Sequence, residues 1–320
     1  MSSVEQINCQ IPLNCAGMRL DQALAILLPS YSRTRLQRWL KTGQLRVDGQ
    51  IGRPRDPVVG GEAIRGEWAV EPEIAAIAQE IPLDIRYQDA DLLVLNKAAG
   101  LVAHPAAGNR DGTLVNALLH HRPELANLPR AGLVHRLDKD TTGLLVVACS
   151  VRGHTALVKQ LQARQIEREY LAVVNGVPVA GGTVDAPIGR HPVDRQRMAV
   201  VTGGKPAVTH YRVVRPFRAH ALLRVKLETG RTHQIRVHMA YIRLPLLGDP
   251  VYGRRARLPR QASPRCIEVI QNFQRQALHA ERLALTHPVT GERLEWRAEM
   301  PADLARLVDV LGEAAEKVDG

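Results

Sequence analysis

Apolar residues recur first at helical spacing and later in alternation, and this change of period divides the chain in two. Leu20, Ala23, Leu24, Leu27 and Leu28 fall on one helical face and predict a helix closed by Pro29. Leu36, Trp39 and Leu40 predict a second helix, with Ser32 as N-cap and Gly43 ending it. Leu45, Val47 and Ile51 alternate around Asp48-Gly49, a hairpin signal. Residues 69–82 hold three Glu and two Pro and read as a linker. Alternating or buried strands then dominate: Leu83 to Tyr87, Leu92 to Leu95, Tyr170 to Val174, Ala207 to Val214 and Leu222 to Leu227. Helical patterns interrupt them at Leu114 to His120 and His154 to Gln162, and Leu304, Leu307, Val308 and Leu311 form a last stripe. Strands without regular βα alternation predict an α+β fold, its mixed, mainly antiparallel sheet flanked by helices and loops. The boundaries that follow are an N-terminal extension (1–17), a small module (18–68), the linker (69–82), a large domain (83–303) and a C-terminal helix and tail (304–320).

Composition narrows the partners. Lys+Arg 43 against Asp+Glu 32 leaves a net charge of +11, which favours a polyanion, with nucleic acid first among candidates. Aromatic residues make up only 3%, so the core must be aliphatic. Cys9, Cys15, Cys149 and Cys266 show neither a C-x-x-C pair nor metal-ligand spacing and read as free thiols in a reducing cytosol. His233 and His238 are not at the spacing of a helical zinc pair, so no metal site is expected. The start of the chain lacks a basic region followed by an apolar core, and no apolar run is long enough to cross a bilayer. A soluble, cytoplasmic protein is expected.

The excess charge is concentrated in the small module. Between residues 30 and 55, seven basic residues (Arg33, Arg35, Arg38, Lys41, Arg46, Arg53, Arg55) face one acid, Asp48. Arg35, Arg38 and Lys41 succeed one another at i,i+3, a stripe suited to phosphates, and Arg33 opens the same helix. The order R-L-D-x-x-L, S-R-T-R-L-Q-R-W-L, G-x-L-R-V-D-G resembles the S4 RNA-binding domain.

Candidate chemistry lies in Leu133–Ala148, LVHRLDKDTTGLLVVA. Two short apolar strands flank an Asp-Thr-Thr-Gly turn, and alternation puts Arg136 and Asp138 on one face with His135 and Leu137 on the other. An acid beside a guanidinium is kept ionised, as a nucleophile must be. An ordinary surface ion pair on a hairpin is the competing reading of this stretch alone. Two further segments weigh against it. In Arg168-Glu169-Tyr170-Leu171-Ala172-Val173-Val174, Tyr170 stands over small apolar neighbours on a strand face. In Leu227-Glu228-Thr229-Gly230-Arg231-Thr232-His233-Gln234-Ile235-Arg236-Val237-His238-Met239, a strand ends, Gly230 breaks the chain and an amphipathic helix follows.

Taken together, these segments resemble the RluA-type pseudouridine synthases, over nearly the whole chain. The stretches Asn96–Pro105 with Gly112–Leu118, and Gly248–Gly253, match the same family. The resemblance implies an enzyme that isomerises uridine to pseudouridine in RNA after flipping the base. It implies Asp138 as the catalytic residue, Tyr170 against the flipped uracil, Arg231 as the partner of Asp138, and Arg136 entering the RNA near the flipped base. It further implies no cofactor, a monomer, and a substrate in 23S rRNA or the large-subunit precursor, at the helix 69 stem-loop. Cys149 departs from the family pattern, in which a Lys often follows V-V-A. Alternatives are a sibling synthase acting on tRNA or another rRNA site, and a non-catalytic ribosome-assembly factor. A hydrolase reading fails for want of a nucleophile elbow or paired carboxylates.

Overall fold

The computed structural model describes residues 4–28, 31, 33–69, 77–105, 109, 111–194, 196–253 and 257–316. In the small module, β1 (Val4–Gln10) precedes α1 (Leu20–Leu27), α2 (Arg33–Thr42), β2 (Leu45–Val47) and β3 (Ala63–Ala69). Both helices form where the apolar periodicity put them; Pro29 and Ser32, expected to close α1 and cap α2, lie outside the described residues. Leu24, Leu36, Trp39 and Leu40 are buried together with Ile11, Cys15 and Ile64.

Two expectations change here. The Asp48-Gly49 turn forms, both residues having positive φ, but it returns only as far as a single bridge between Val47 and Gln50. The ladder partner of β2 is β3, whose other edge takes β1. Residues 4–10, read as an extension, are therefore a strand of this module, paired with Ala63–Ala69 in seven-residue register. The short polar stretch Val4–Gln10 carries too weak an alternation to announce a strand whose partners run from Ala63 to Ala69.

The large domain continues with β4 (Ile85–Gln88), β5 (Leu92–Lys97), α3 (Leu114–His121), β6 (Thr142–Ala148), α4 (Val151–Gln162), β7 (Glu167–Asn175) and β8 (Gly182–Asp185). Then come β9 (Ile188–Arg190), β10 (Met198–Val200), β11 (Val208–Pro216), β12 (His220–Leu227), α5 (Gln234–Tyr241), α6 (Pro264–Asn272), β13 (Leu278–Thr286), β14 (Arg293–Arg297) and α7 (Ala302–Glu316). A nine-stranded sheet runs β4-β5-β6-β13-β7-β12-β11-β8, with β14 also on β13, while β9 and β10 pair separately. Its pairs are antiparallel except β6 with β13, so the fold is the expected mixed, mainly antiparallel sheet. Every residue of β6 is buried, because helices or loops cover both faces; such strands read as continuous apolar runs. Leu171 and Val173 of β7 pack with α6 and α7 on one side, so α7 belongs to this domain's core. Tyr170, Ala172 and Val174 join the core on the other side with Leu223, Val225 and Met239. The final tail, 317–320, and linker residues 70–76 lie outside the described residues. No helix among the described residues is long and apolar enough to cross a membrane.

One split in the sheet positions the functional residues. β6 meets β13 only at Thr142–His279 and Gly143–Ala280; beyond that β14 takes over the same edge of β13. Gly143 is required at the junction: its φ is +113°, and a Cβ there would overlap the Ala280 backbone. Along the free edge of β6 runs the segment after Leu133, which makes one bridge to Val147 instead of the expected strand. The His135 ring takes the place of a ladder strand, its Nε2 accepting from Val146 N at 3.1 Å.

Candidate active site

Asp138 begins a tight turn at the mouth of this split, its carbonyl accepting from Thr141 N at 3.1 Å. The turn is fixed from below. Buried Lys97 donates to the carbonyls of Ala98 (2.7 Å), Leu101 (3.0 Å) and Lys139 (2.7 Å), and Gln276 donates to Thr141 Oγ1 at 3.0 Å. Burial pushes the Lys97 ammonium down to about 8, opposed by Asp140 and Asp138. Arg136 is exposed, Leu137 is buried and the Asp138 side chain is 15% exposed, so the expected alternation holds without a strand. Tyr170 is buried on β7, between Val225 of β12 and Ala280 of β13, and Ala280 in turn faces Gly143 after the Asp138 turn. Burial raises the Tyr170 hydroxyl, and the Asp138 charge adds to the rise while Arg168 opposes it.

The arginine that holds Asp138 is Arg236. Its Nη1 donates to Asp138 Oδ2 at 3.0 Å, while Nε and Nη2 grip Asp249 at 2.8 and 2.9 Å. One guanidinium thus joins two carboxylates, and Asp249 is itself fixed by Val251 N and Tyr252 N. Burial pushes the Asp249 carboxyl up, but the hydrogen bonds and charge of Arg236 outweigh it and hold the group below its usual value. Arg231, expected in this role, is exposed and its Nε donates to Pro206 O at 3.1 Å. The reason is where the helix begins. Gln234 Oε1 binds Thr229 Oγ1 and Arg231 N, which ties the turn ahead of α5 and leaves Arg231 outside it. Arg236 sits inside α5 and is buried. A buried charge within an apolar helix face was the available signal, and the acid in Leu247-Gly248-Asp249-Pro250 supplies its partner.

His233, weighed in the sequence only as a metal ligand, was not expected at this carboxylate. It caps α5 with φ +56°, a left-handed conformation that is strained for a side-chain-bearing residue. Its Nε2 lies 3.9 Å from Asp138 Oδ1, and its Nδ1 is 2.9 Å from the Tyr252 hydroxyl. Because that hydroxyl accepts from Met198 N at 2.8 Å, its own proton is available for Nδ1, which leaves Nε2–H toward the carboxylate. Burial is the main cause that lowers the His233 pKa; Arg236 and Arg136 add to it, and Asp138 and Asp249 oppose it. The site therefore presents one carboxylate with Oδ2 engaged and Oδ1 open, a buried aromatic ring on the strand beside it, and an exposed arginine at its rim.

Comparison with known proteins bears on this arrangement. The family model described as RNA pseudouridylate synthase matches residues 91–241, and the S4 domain model matches residues 18–64. The chain is 55% identical over 320 residues, all of both chains, to a protein of Pseudomonas aeruginosa named ribosomal large subunit pseudouridine synthase D. This chain belongs to the RluA-type RNA pseudouridine synthases. A protein of the same name from Escherichia coli K12 is 52% identical over 312 residues, 97% of this synthase and 96% of that one. Among solved structures, human RNA pseudouridylate synthase domain containing 4 aligns with a TM-score of 0.56 and 28% identity, covering 71% of this synthase and 92% of that chain. Human RNA pseudouridylate synthase domain containing 1 aligns at 0.54 and 25%, covering 70% and 86%.

The synthase's S4 domain sorts its basic residues into two groups. Arg33 donates to buried Asp21 at 3.0 and 2.7 Å, alongside Arg19 and Gln37, so it ties α2 to α1 while its own side chain stays 43% exposed. Arg35 stacks its guanidinium over Trp39, 5.0 Å from the ring centroid. Arg38 and Lys41 are exposed on the outward face. Among the described residues, no three His, Cys, Asp or Glu side chains cluster as metal ligands would.

Proposed function

We propose that this synthase converts uridines of the helix 69 stem-loop of 23S rRNA to pseudouridine, with Asp138 as the catalytic residue. The supporting observation is the Asp138–Arg236–Asp249 array beside Tyr170, in a chain related along its full length to synthases named for the large ribosomal subunit. A paired base is out of reach of side chains, so the target uridine leaves the helix and stacks on Tyr170, and Arg136 enters the vacated space. Asp138, oriented through Oδ2 by Arg236, acts with Oδ1 at the ribose as the C1′–N1 bond breaks. The uracil turns, C1′ bonds to C5, the C5 hydrogen leaves as a proton and N1 ends protonated. The reaction is an isomerisation, so no oxidant or reductant is consumed. A cytoplasmic location follows from an rRNA substrate.

Tritium release tests the substrate, since only bond formation at C5 expels that hydrogen. A large-subunit RNA fragment containing helix 69 and labelled with 5-³H-uridine is expected to release tritium, and to stop when the uridines of that stem-loop are replaced by cytidine. Release from tRNA and not from the fragment would transfer the function to the tRNA-directed alternative.

The S4 domain supplies sequence-independent affinity through phosphates. Reversing Arg38 and Lys41 to Glu is expected to weaken RNA binding about ten-fold at moderate salt. It should also flatten the slope of log K against log salt by about 1.4–1.8, the contribution of two phosphate contacts. An unchanged slope would remove this face from the RNA interface.

A further inference from the structure

We propose that Arg168 and His135 form a subsite for a phosphodiester oxygen of the RNA strand beside the flipped uridine. Two arginines are buried among the described residues, Arg236 and Arg168. Arg236 carries two carboxylates; Arg168, 7% exposed, has no hydrogen bond or ion pair. A guanidinium does not shed its proton, and a buried charge without a counter-ion is costly, so its partner is brought from outside. The carboxylates next to it in sequence are unavailable. Glu167 and Glu169 point to the opposite face of β7, where Arg282 binds both at 2.8 and 3.0 Å.

A second unpaired donor accompanies it. Val146 N–H donates to His135 Nε2, so the ring proton is on Nδ1, which is buried and unpartnered. Burial, with the Arg168 charge adding to it, pushes His135 down to about 3, so the ring remains a neutral donor. Access comes from Gly230, exposed in the turn after β12. A Cβ at this position would stand 2.8 Å from Arg168 Nη1, so the missing side chain leaves the guanidinium reachable from the surface. A site made of N–H donors and no acceptor selects an anion with projecting oxygens. Arg168 lies two residues before Tyr170 on the same strand face, roughly 7 Å away along the backbone. That matches the reach from a stacked base to a phosphate of its own nucleotide. The inference thus rests on the uridine stacking against Tyr170.

The test uses a stem-loop from which the wild-type enzyme releases tritium, so that a wrong substrate assignment cannot be confused with a wrong subsite. Binding is measured to this RNA and to two versions with one neutral methylphosphonate, 5′ or 3′ of the target uridine. One of the two is expected to weaken wild-type binding about ten-fold. Arg168→Met should lose the same factor on unmodified RNA and show no further loss with that methylphosphonate, while Arg168→Lys recovers part of the affinity. Gly230→Ala, which places a methyl group over the guanidinium, is expected to behave as Arg168→Met does and serves if that variant does not fold. Additive losses, or a wild type indifferent to both methylphosphonates, would overturn the proposal, because a purely structural arginine would not recognise which phosphate is charged.

Discussion

Asp138→Asn is expected to reduce tritium release by at least about 10³-fold, roughly 4 kcal/mol of transition-state stabilisation, while RNA binding stays within about two-fold of wild type. The substitution is nearly isosteric. The amide oxygen can still accept from Arg236 Nη1, and Arg236 keeps its bidentate pair with Asp249, so the turn from Asp138 to Thr141 retains its supports. What is lost is the negative charge on the open oxygen facing His233 Nε2 and the basicity of that oxygen. Any pathway in which this oxygen bonds to the substrate or takes its proton fails without them. Release by the variant at more than a tenth of the wild-type rate would remove Asp138 from the chemistry and turn attention to His233, the other polar group at the carboxylate.

Arg236→Met is expected to be the most damaging single change in both stability and activity. It leaves Asp249, fully buried, and Asp138, 15% exposed, without their shared cation. Breaking a buried pair by removing one partner typically costs about 3–5 kcal/mol. The loss depends on pH. Asp249 has a lowered pKa in the folded protein, so its contribution to stability is present above the unfolded value, about 3.9, and fades as pH falls through the folded one. The stability gap between wild type and variant, measured by denaturant unfolding, should therefore be largest near neutrality and narrow below about pH 4. Arg236→Lys should recover part of the stability but little activity, because an ammonium cannot hold Asp138 and Asp249 in the same fork geometry. Arg231→Ala is expected to cost less than about 1 kcal/mol, its guanidinium being exposed and bound to one carbonyl. If Arg231→Ala matched Arg236→Met, the assignment of the carboxylate partner would be wrong.

The parts of this architecture that sequence made legible are those governed by local periodicity. α1, α2, α3 and α4 and the strands around Tyr170 and Leu222 were marked by apolar spacing, and Asp138 and Tyr170 are brought to one cleft. What escaped depends on distant partners. Arg231 and Arg236 differ in role because one precedes α5 and the other lies inside it opposite Asp249, a distinction set by the Gln234 side chain. Arg33 is bonded to Asp21, twelve residues earlier, a structural tie between α1 and α2 that the count of basic residues did not announce. His135 resembles a strand residue in sequence, yet it caps the edge of β6 because the sheet opens there. A split between strands leaves no mark on the alternation of either strand.

The parallel contact between β6 and β13 also bears on when the enzyme comes into being. Thr142 and His279, bonded side chain to side chain at 2.9 Å, are 137 residues apart, and β13 separates β6 from β7 in the finished sheet. A chain emerging from its N-terminus holds every strand of the S4 domain by Ala69, whereas the sheet centre waits for the last fifth of the polypeptide. The S4 domain can therefore be complete well before the catalytic sheet is. A chain ending short of Leu278 would carry the S4 domain but lack the strand that joins β6 to β7 in one sheet.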